Sequence, residues 1–188
     1  MASVLGALSI VLLLGMVLTR VAMLRRRGIE PMKFGALDKT DFLIPPFVLL
    51  YFYLIFANAL HWPTFAHGRL FASSIVAWIG VVLCAAALVL MFATLTSFGT
   101  SFRVGIDTED PDALVTSGVF AFTRNPIYVA FAILLIGEFL IFPHWILLLY
   151  LVAGVALFHR QVLREEAYLD AHYGEAYRAY RARVPRYV

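Results

Sequence analysis

The residues best suited to chemistry sit in two polar stretches of an otherwise apolar chain. The first, Arg164 to Arg186, reads REEAYLDAHYGEAYRAYRARVPR, with two adjacent carboxylates, Glu165 and Glu166, ahead of a run of tyrosines. The second, Leu114 to Ala130, reads LVTSGVFAFTRNPIYVA. In the second stretch Arg124 offers a planar guanidinium suited to a carboxylate or phosphate. Asn125 and Pro126 read as the N-cap and first residue of a helix, whose free N–H groups favour an anion. The small residues around Thr116 and Gly118 let backbone approach a ligand closely. In the first stretch an acid beside a membrane is costly unless it is paired or meets a cation. Glu165 and Glu166 therefore suit either a cationic ligand or a structural pairing with Arg160 or Arg164.

These groups must be held by helices. Val162, Glu166, Leu169, Tyr173, Tyr177, Tyr180 and Val184 are spaced 4, 3, 4, 4, 3 and 4 residues apart, the period of one continuous helical face. All are apolar or aromatic except Glu166, and Glu165 lies at the edge of the same face. Gly174 weakens such a helix by about 1 kcal/mol relative to alanine, so a break or a tight contact is expected there.

The rest of the chain is built for a bilayer. Of 188 residues, 62% are hydrophobic and only 14% charged, which excludes an ordinary soluble domain. Spans of about 20 apolar residues are expected near Ser3–Leu24, Phe42–Leu60 and Leu70–Leu95. Two shorter runs, Ile127–Phe142 and Trp145–Phe158, form a tight hairpin around Pro143 and His144. The fold class is thus all-α: a polytopic membrane protein with about five transmembrane helices, a short C-terminal hairpin and a cytoplasmic amphipathic C-terminal helix. Residues 1–95 supply three amino-terminal spans and a basic cytoplasmic loop. Residues 96–188 supply the polar loop, hairpin and terminal helix, the two parts forming one integrated domain. An outside N-terminus places Arg25, Arg26, Arg27, Lys33, Lys39, Arg103, Arg124 and the C-terminal arginines on the cytoplasmic side, leaving Arg69 outside. Positive charge after the first apolar run, rather than before it, argues for a retained helix and against a cleaved signal.

Several classes of chemistry are disfavoured. One cysteine, Cys84, allows no intrachain disulfide. The five histidines, His61, His67, His144, His159 and His172, lack metal-ligand spacing, so no metal is expected. No dinucleotide fingerprint, P-loop or nucleophile elbow is present. The arginines fit topology and anionic membrane lipid better than nucleic acid. The acidic loop Gly105–Asp112 reads as solvated, and Glu138 as a polar contact between helices with no partner legible in the sequence.

Taken together, the two polar stretches resemble the isoprenylcysteine carboxyl methyltransferase and phospholipid methyltransferase superfamily of integral membrane methyltransferases. The family pattern pairs Arg-His-Pro-x-Tyr with a downstream Glu-Glu-x-x-Leu, a run of Phe or Tyr followed by Gly-x-x-Tyr-x-x-Tyr, and Val-Pro-Arg. Here Glu165, Glu166, Leu169, Tyr173, Gly174, Tyr177, Tyr180, Val184, Pro185 and Arg186 match the second half. Arg124, Pro126 and Tyr128 match the first, with Asn125 in the histidine position.

The resemblance implies S-adenosyl-L-methionine as cofactor, held by Leu114, Val115, Thr116, Gly118, Arg124, Asn125, Pro126, Tyr128, Glu165 and Glu166. It assigns Arg160 and Arg164 to orienting an acceptor carboxylate, and Glu165 to base chemistry where the acceptor is an amine. The acceptor would be lipophilic and would enter from the bilayer to a cytoplasmic site, with isoprenylcysteine carboxyl O-methylation the leading reaction. The membrane would be a bacterial or archaeal cell membrane or the endoplasmic reticulum. Within the same fold, N-methylation of a phospholipid amine and S-methylation of a small thiol are the alternatives. Outside it stand an NADPH-dependent, sterol-reductase-like enzyme and a non-catalytic membrane protein.

Overall fold

The computed structural model describes residues 1–26, 28, 44–63, 68–98 and 114–188, with backbone alone at 44–47. Arg27, Lys33, Lys39, His67, Arg103 and the acidic loop Gly105–Asp112 lie outside the described residues. The elements are α1 (Ala2–Arg26), α2 (Ile44–Leu60), α3 (Ser74–Ser97), a 3-10 turn (Gly118–Ala121), α4 (Pro126–Ile141), α5 (Trp145–Tyr173) and α6 (Glu175–Arg181). No strand forms among the described residues, which makes the chain all-helical there. Helices α1, α3 and α5 are long and apolar enough to cross a membrane, while α4 and the Val48–Leu60 part of α2 are shorter apolar helices.

The terminal helix is not a separate element. The expected boundary at Phe158 is only where apolar residues give way to polar ones, and α5 runs through it to Tyr173 for 29 residues. At 1.5 Å per residue that is about 44 Å. Nothing between His159 and Tyr173 is glycine or proline, so the hydrogen-bond ladder has no reason to stop. The last turns of α5 thus carry Glu165 and Glu166 on a rigid extension of its apolar part.

The tyrosine stripe is likewise divided between two helices. Gly174 has φ +52° and ψ −122°, ending α5, and the chain turns before α6. A Cβ there would meet nothing within 4 Å, so glycine serves the left-handed backbone and not a tight contact. Val162, Glu166, Tyr177, Tyr180 and Val184 are all buried across the break. Leu114, Leu169 and Tyr173 pack against Tyr177, Tyr180 and Val184, a small second core beneath the polar residues.

The closest helix contact is the antiparallel seam of α3 and α4. A Cβ on Gly137 would stand 2.6 Å from the Cys84 Sγ and 2.8 Å from the Gly80 carbonyl oxygen. One on Gly80 would stand 2.5 Å from the Gly137 carbonyl oxygen. Small residues let two apolar helices meet backbone to backbone where lipid gives no hydrophobic push. Gly137→Leu is accordingly expected to pry α3 from α4, with loss of a monodisperse peak on size-exclusion chromatography in detergent.

Glu138 finds its partners at this seam. It is 1% exposed, accepts a hydrogen bond from the Ser9 hydroxyl at 2.9 Å and meets the Cys84 thiol at 3.9 Å. A buried acid thereby ties α1 to the α3–α4 pair, a contact whose distance in sequence hid the partner.

The two ends of the bundle are distinct. The α2–α3 connection meets the α4–α5 turn: the Leu70 amide donates to the Pro143 carbonyl at 2.8 Å, and the Trp145 amide to that of Gly68 at 3.0 Å. At the opposite end the C-terminus of α3 meets the 3-10 turn, with Phe98 and Phe120 ring centroids 4.6 Å apart. The polar residues converge at that second end, around the start of α4 and the last turns of α5.

Candidate active site

The site is assembled from three pieces of chain: the segment Phe122–Asn125 before α4, the outer part of α5, and the tail after α6. Glu166 lies at their junction. Its Oε1 accepts from Arg124 Nη2 at 3.2 Å and Asn125 Nδ2 at 3.1 Å. Its Oε2 accepts from Arg186 Nε at 3.0 Å and Nη2 at 2.9 Å. The Arg124 and Glu166 side chains are each 7% exposed, that of Arg186 38%. Four donors meet this buried carboxylate, the pairing and hydrogen bonding that a charge needs to be tolerated out of water. The neighbouring Glu166 carboxylate also raises the affinity of the Arg186 guanidinium for its proton.

The tail is laced to the start of α4 by backbone as well. The Arg124 amide donates to the Pro185 carbonyl at 3.1 Å. The Arg186 carbonyl accepts from Asn125 Nδ2 at 3.1 Å and from the Thr123 hydroxyl at 3.3 Å. Tyr180 donates to the Phe120 carbonyl at 2.7 Å, and burial pushes its hydroxyl up to about 12, so it remains a donor at physiological pH.

Asn125 therefore uses both hydrogens of its amide, one on Glu166 and one on the tail. It makes no side-chain cap to its own helix, whose first position is Pro126. A neutral imidazole carries one N–H and could replace only one of these bonds. Asn125→His is expected to keep the fold with a modest fall in thermal midpoint. Asn125→Asp, which removes both donors and sets a carboxylate against Glu166, should fall much further in the same melting assay.

The Arg124 fork is incompletely used. Nη2 serves Glu166, while Nε and Nη1 are buried without a hydrogen-bond partner, and so is the hydroxyl of Tyr177. These groups are neighbours: burial, and then the Glu166 charge, raise the Tyr177 pKa, while the Arg124 charge and its hydrogen-bonding approach to the hydroxyl, too poorly aligned to satisfy either group, oppose them. An unmet buried donor costs about 1–3 kcal/mol. Several such groups together call for an explanation such as a bound water, ion or ligand.

A second group of side chains lies one helical position away. Glu165 Oε1 accepts from the Tyr128 hydroxyl at 2.5 Å and from Gln161 Nε2 at 3.1 Å. The Phe158 ring stands 5.9 Å from that of Tyr128 and 5.6 Å from that of Phe131, continuing an aromatic lining toward the apolar part of α4 and α5. His159 Nδ1 and the Tyr187 hydroxyl, 2.7 Å apart, close the outer edge.

A sequence model described as phospholipid methyltransferase matches residues 75–176, more than half of the chain. The chain belongs to the phospholipid methyltransferase family. The match spans α3 to α5 and stops just past Gly174. Within curated proteins, the protein-S-isoprenylcysteine O-methyltransferase of Schizosaccharomyces pombe is 30% identical over 131 residues, 68% of this chain and 55% of that protein. The chain thus spans about half the length of the curated relative it matches. No solved structure matches it.

For this family member the structure brings Arg124, Asn125, Pro126, Tyr128, Glu165 and Glu166 to one end of α4 and α5. Leu114 packs on Tyr177, Tyr180 and Val184, with Val115 half-buried and Thr116 exposed beside it. Gly118, at φ +63°, makes its close approach to Ser97, whose Oγ would lie 2.3 Å from an added Cβ and accepts from the Val119 amide at 3.3 Å. Arg160 and Arg164 are exposed, one turn apart on α5. The sequence reading left Thr123, Gln161, His159 and Tyr187 out of the site and gave Arg186 no role. Arg186 had a signal, the Val-Pro-Arg ending, but its distance from Glu166 became legible only through the turn at Gly174.

Proposed function

We propose that this protein is an integral membrane methyltransferase that uses S-adenosyl-L-methionine to methylate a lipophilic acceptor. The reading takes α1 to α5 as five spans, an outside N-terminus and a site on the cytoplasmic side, as the arginine distribution favours. The observation that carries it is the buried Arg124, whose Nε and Nη1 make no well-formed hydrogen bond, beside a Tyr177 hydroxyl in the same state. That donor set fits a carboxylate, and the cofactor is an amino acid with one.

In this reading Arg124 and Tyr177 hold the carboxylate end, with the first turn of α4 after Pro126 adding its unpaired backbone amides. Glu165, steadied by Tyr128 and Gln161, receives the ammonium or a ribose hydroxyl. Leu114, Val115, Thr116 and Gly118 contribute the backbone wall, and Glu166 holds Arg124 in place. When bound, S-adenosyl-L-methionine supplies a methyl group on a cationic sulfonium. The protein then needs chiefly to align the acceptor and exclude water, which positioning alone makes effective. The aromatic side chains Phe131, Phe158 and Tyr128 suit an apolar acceptor entering between α4 and α5, and Arg160 and Arg164 suit orienting its carboxylate. The relative's name supports an isoprenylcysteine carboxylate as that acceptor.

Incubating the detergent-purified protein with methyl-labelled S-adenosyl-L-methionine and either a farnesylcysteine derivative or total lipid extract tests the proposal. Label in the farnesylcysteine ester supports O-methylation. Label in a lipid amine alone would move the acceptor to the phospholipid side of the family. Absence of transfer to any acceptor by folded protein would count against the activity itself.

A further inference from the structure

The donors proposed to hold the cofactor are closed from water. Arg124 Nε and Nη1 and the Tyr177 hydroxyl have essentially no accessible surface, so no ligand can reach them without movement of what covers them. The tail is laid over this junction. Its hold is mostly polar: Arg186 on Glu166, the Pro185 and Arg186 carbonyls on residues 123–125, and Tyr187 on His159. Only Val184 is buried, while Pro185 is exposed and Arg186 and Tyr187 are half-exposed. The α3–α4 seam, by contrast, is closed backbone to backbone.

We propose that residues 184–187 are a strap that must lift for the cofactor to enter and leave, with the Arg186–Glu166 ion pair as its latch. The proposal rests on the functional reading above for the identity of the ligand. Lifting exchanges a half-exposed ion pair and a few backbone hydrogen bonds for water and leaves the bundle intact. Glu166 stays paired with Arg124 and Asn125 when the strap is up. Arg186 is therefore a positioning residue whose effect should appear in rates of ligand exchange.

Two measurements on the full-length protein in detergent test this. In hydrogen–deuterium exchange, the ligand-free protein should exchange the amides of Arg186, Tyr187 and Val188 and that of Arg124 at least ten-fold faster than those of α3 and α4. Saturating S-adenosyl-L-methionine should slow the same peptides. In rapid-mixing binding, Arg186→Ala should raise both association and dissociation rates several-fold, with Arg186→Lys intermediate and both variants still monodisperse. Strap amides exchanging as slowly as those of α3 would overturn the proposal. So would cofactor protection confined to residues 114–118, or an Arg186→Ala protein whose exchange rates match the parent's. The exchange pattern of the ligand-free protein decides for or against the strap even where S-adenosyl-L-methionine fails to bind. Failure to bind would refute the functional reading instead.

Discussion

Arg124→Gln is expected to weaken S-adenosyl-L-methionine binding by at least 10- to 100-fold while the protein stays folded. A hydrogen bond from a charged donor contributes about 1.5–3 kcal/mol, and each 1.4 kcal/mol is a factor of ten in affinity. Two nitrogens of Arg124 make no well-formed hydrogen bond within the protein and can be offered to the ligand once the site opens. The fold tolerates the change because Glu166 keeps Arg186 and Asn125 as partners. Arg124→Lys is the more telling variant. It retains the charge, but a single ammonium cannot serve Glu166 and a ligand carboxylate with the geometry of a fork. Affinity should fall nearly as far as for glutamine, measured by isothermal titration calorimetry, with the thermal midpoint close to that of the parent. Parent-like affinity in Arg124→Lys would remove Arg124 from the cofactor site.

Glu166→Ala should have the opposite signature, a loss of stability first and of function in consequence. Removing the carboxylate leaves Arg124 buried with no counter-charge, and breaking such a pair costs roughly 3–5 kcal/mol. Part of the Arg186 contribution is screened by solvent and is smaller. The thermal midpoint in detergent should drop well below that of Arg124→Gln. Glu166→Gln keeps the volume and one acceptor oxygen, so its drop should be smaller, with weakened cofactor binding caused by a misplaced Arg124. The cycle of Glu166→Gln and Arg124→Gln separates the routes. If Glu166 acts through Arg124, the double variant binds no more weakly than Arg124→Gln alone. Additive losses would mean that Glu166 meets the cofactor directly.

Much of this arrangement was legible in the sequence because hydropathy and helical period are local signals. The run before Arg25 gave α1, and the apolar blocks gave α3 and α4 to within a few residues. The stripe from Val162 to Val184 identified the residues that are buried, including Glu166. Of the two expectations for Gly174 the break is the one found, and the face stays periodic across it because the turn reverses nothing in the pattern. The extent of α5 was hidden, since a change from apolar to polar residues marks the end of a span, not of a helix. Partners far apart in the chain were the least visible. Nothing local joins Ser9 to Glu138, or Arg186 to Glu166, although each pair explains an otherwise costly buried acid. Asn125 shows the limit of a motif. Its place in the pattern indicated a helix cap or a ligand, whereas the structure spends its amide on Glu166 and the tail.

The central claim is that this bundle binds S-adenosyl-L-methionine through Arg124. Isothermal titration calorimetry of the folded, detergent-purified protein tests it most directly. Saturable one-to-one binding within the range of about 1 μM to 1 mM usual for enzyme substrates, weakened by at least about 10- to 100-fold in Arg124→Gln, is the predicted result. A protein that melts cooperatively yet gives no saturable heat with S-adenosyl-L-methionine up to about 1 mM would contradict it, as would equal binding by parent and Arg124→Gln.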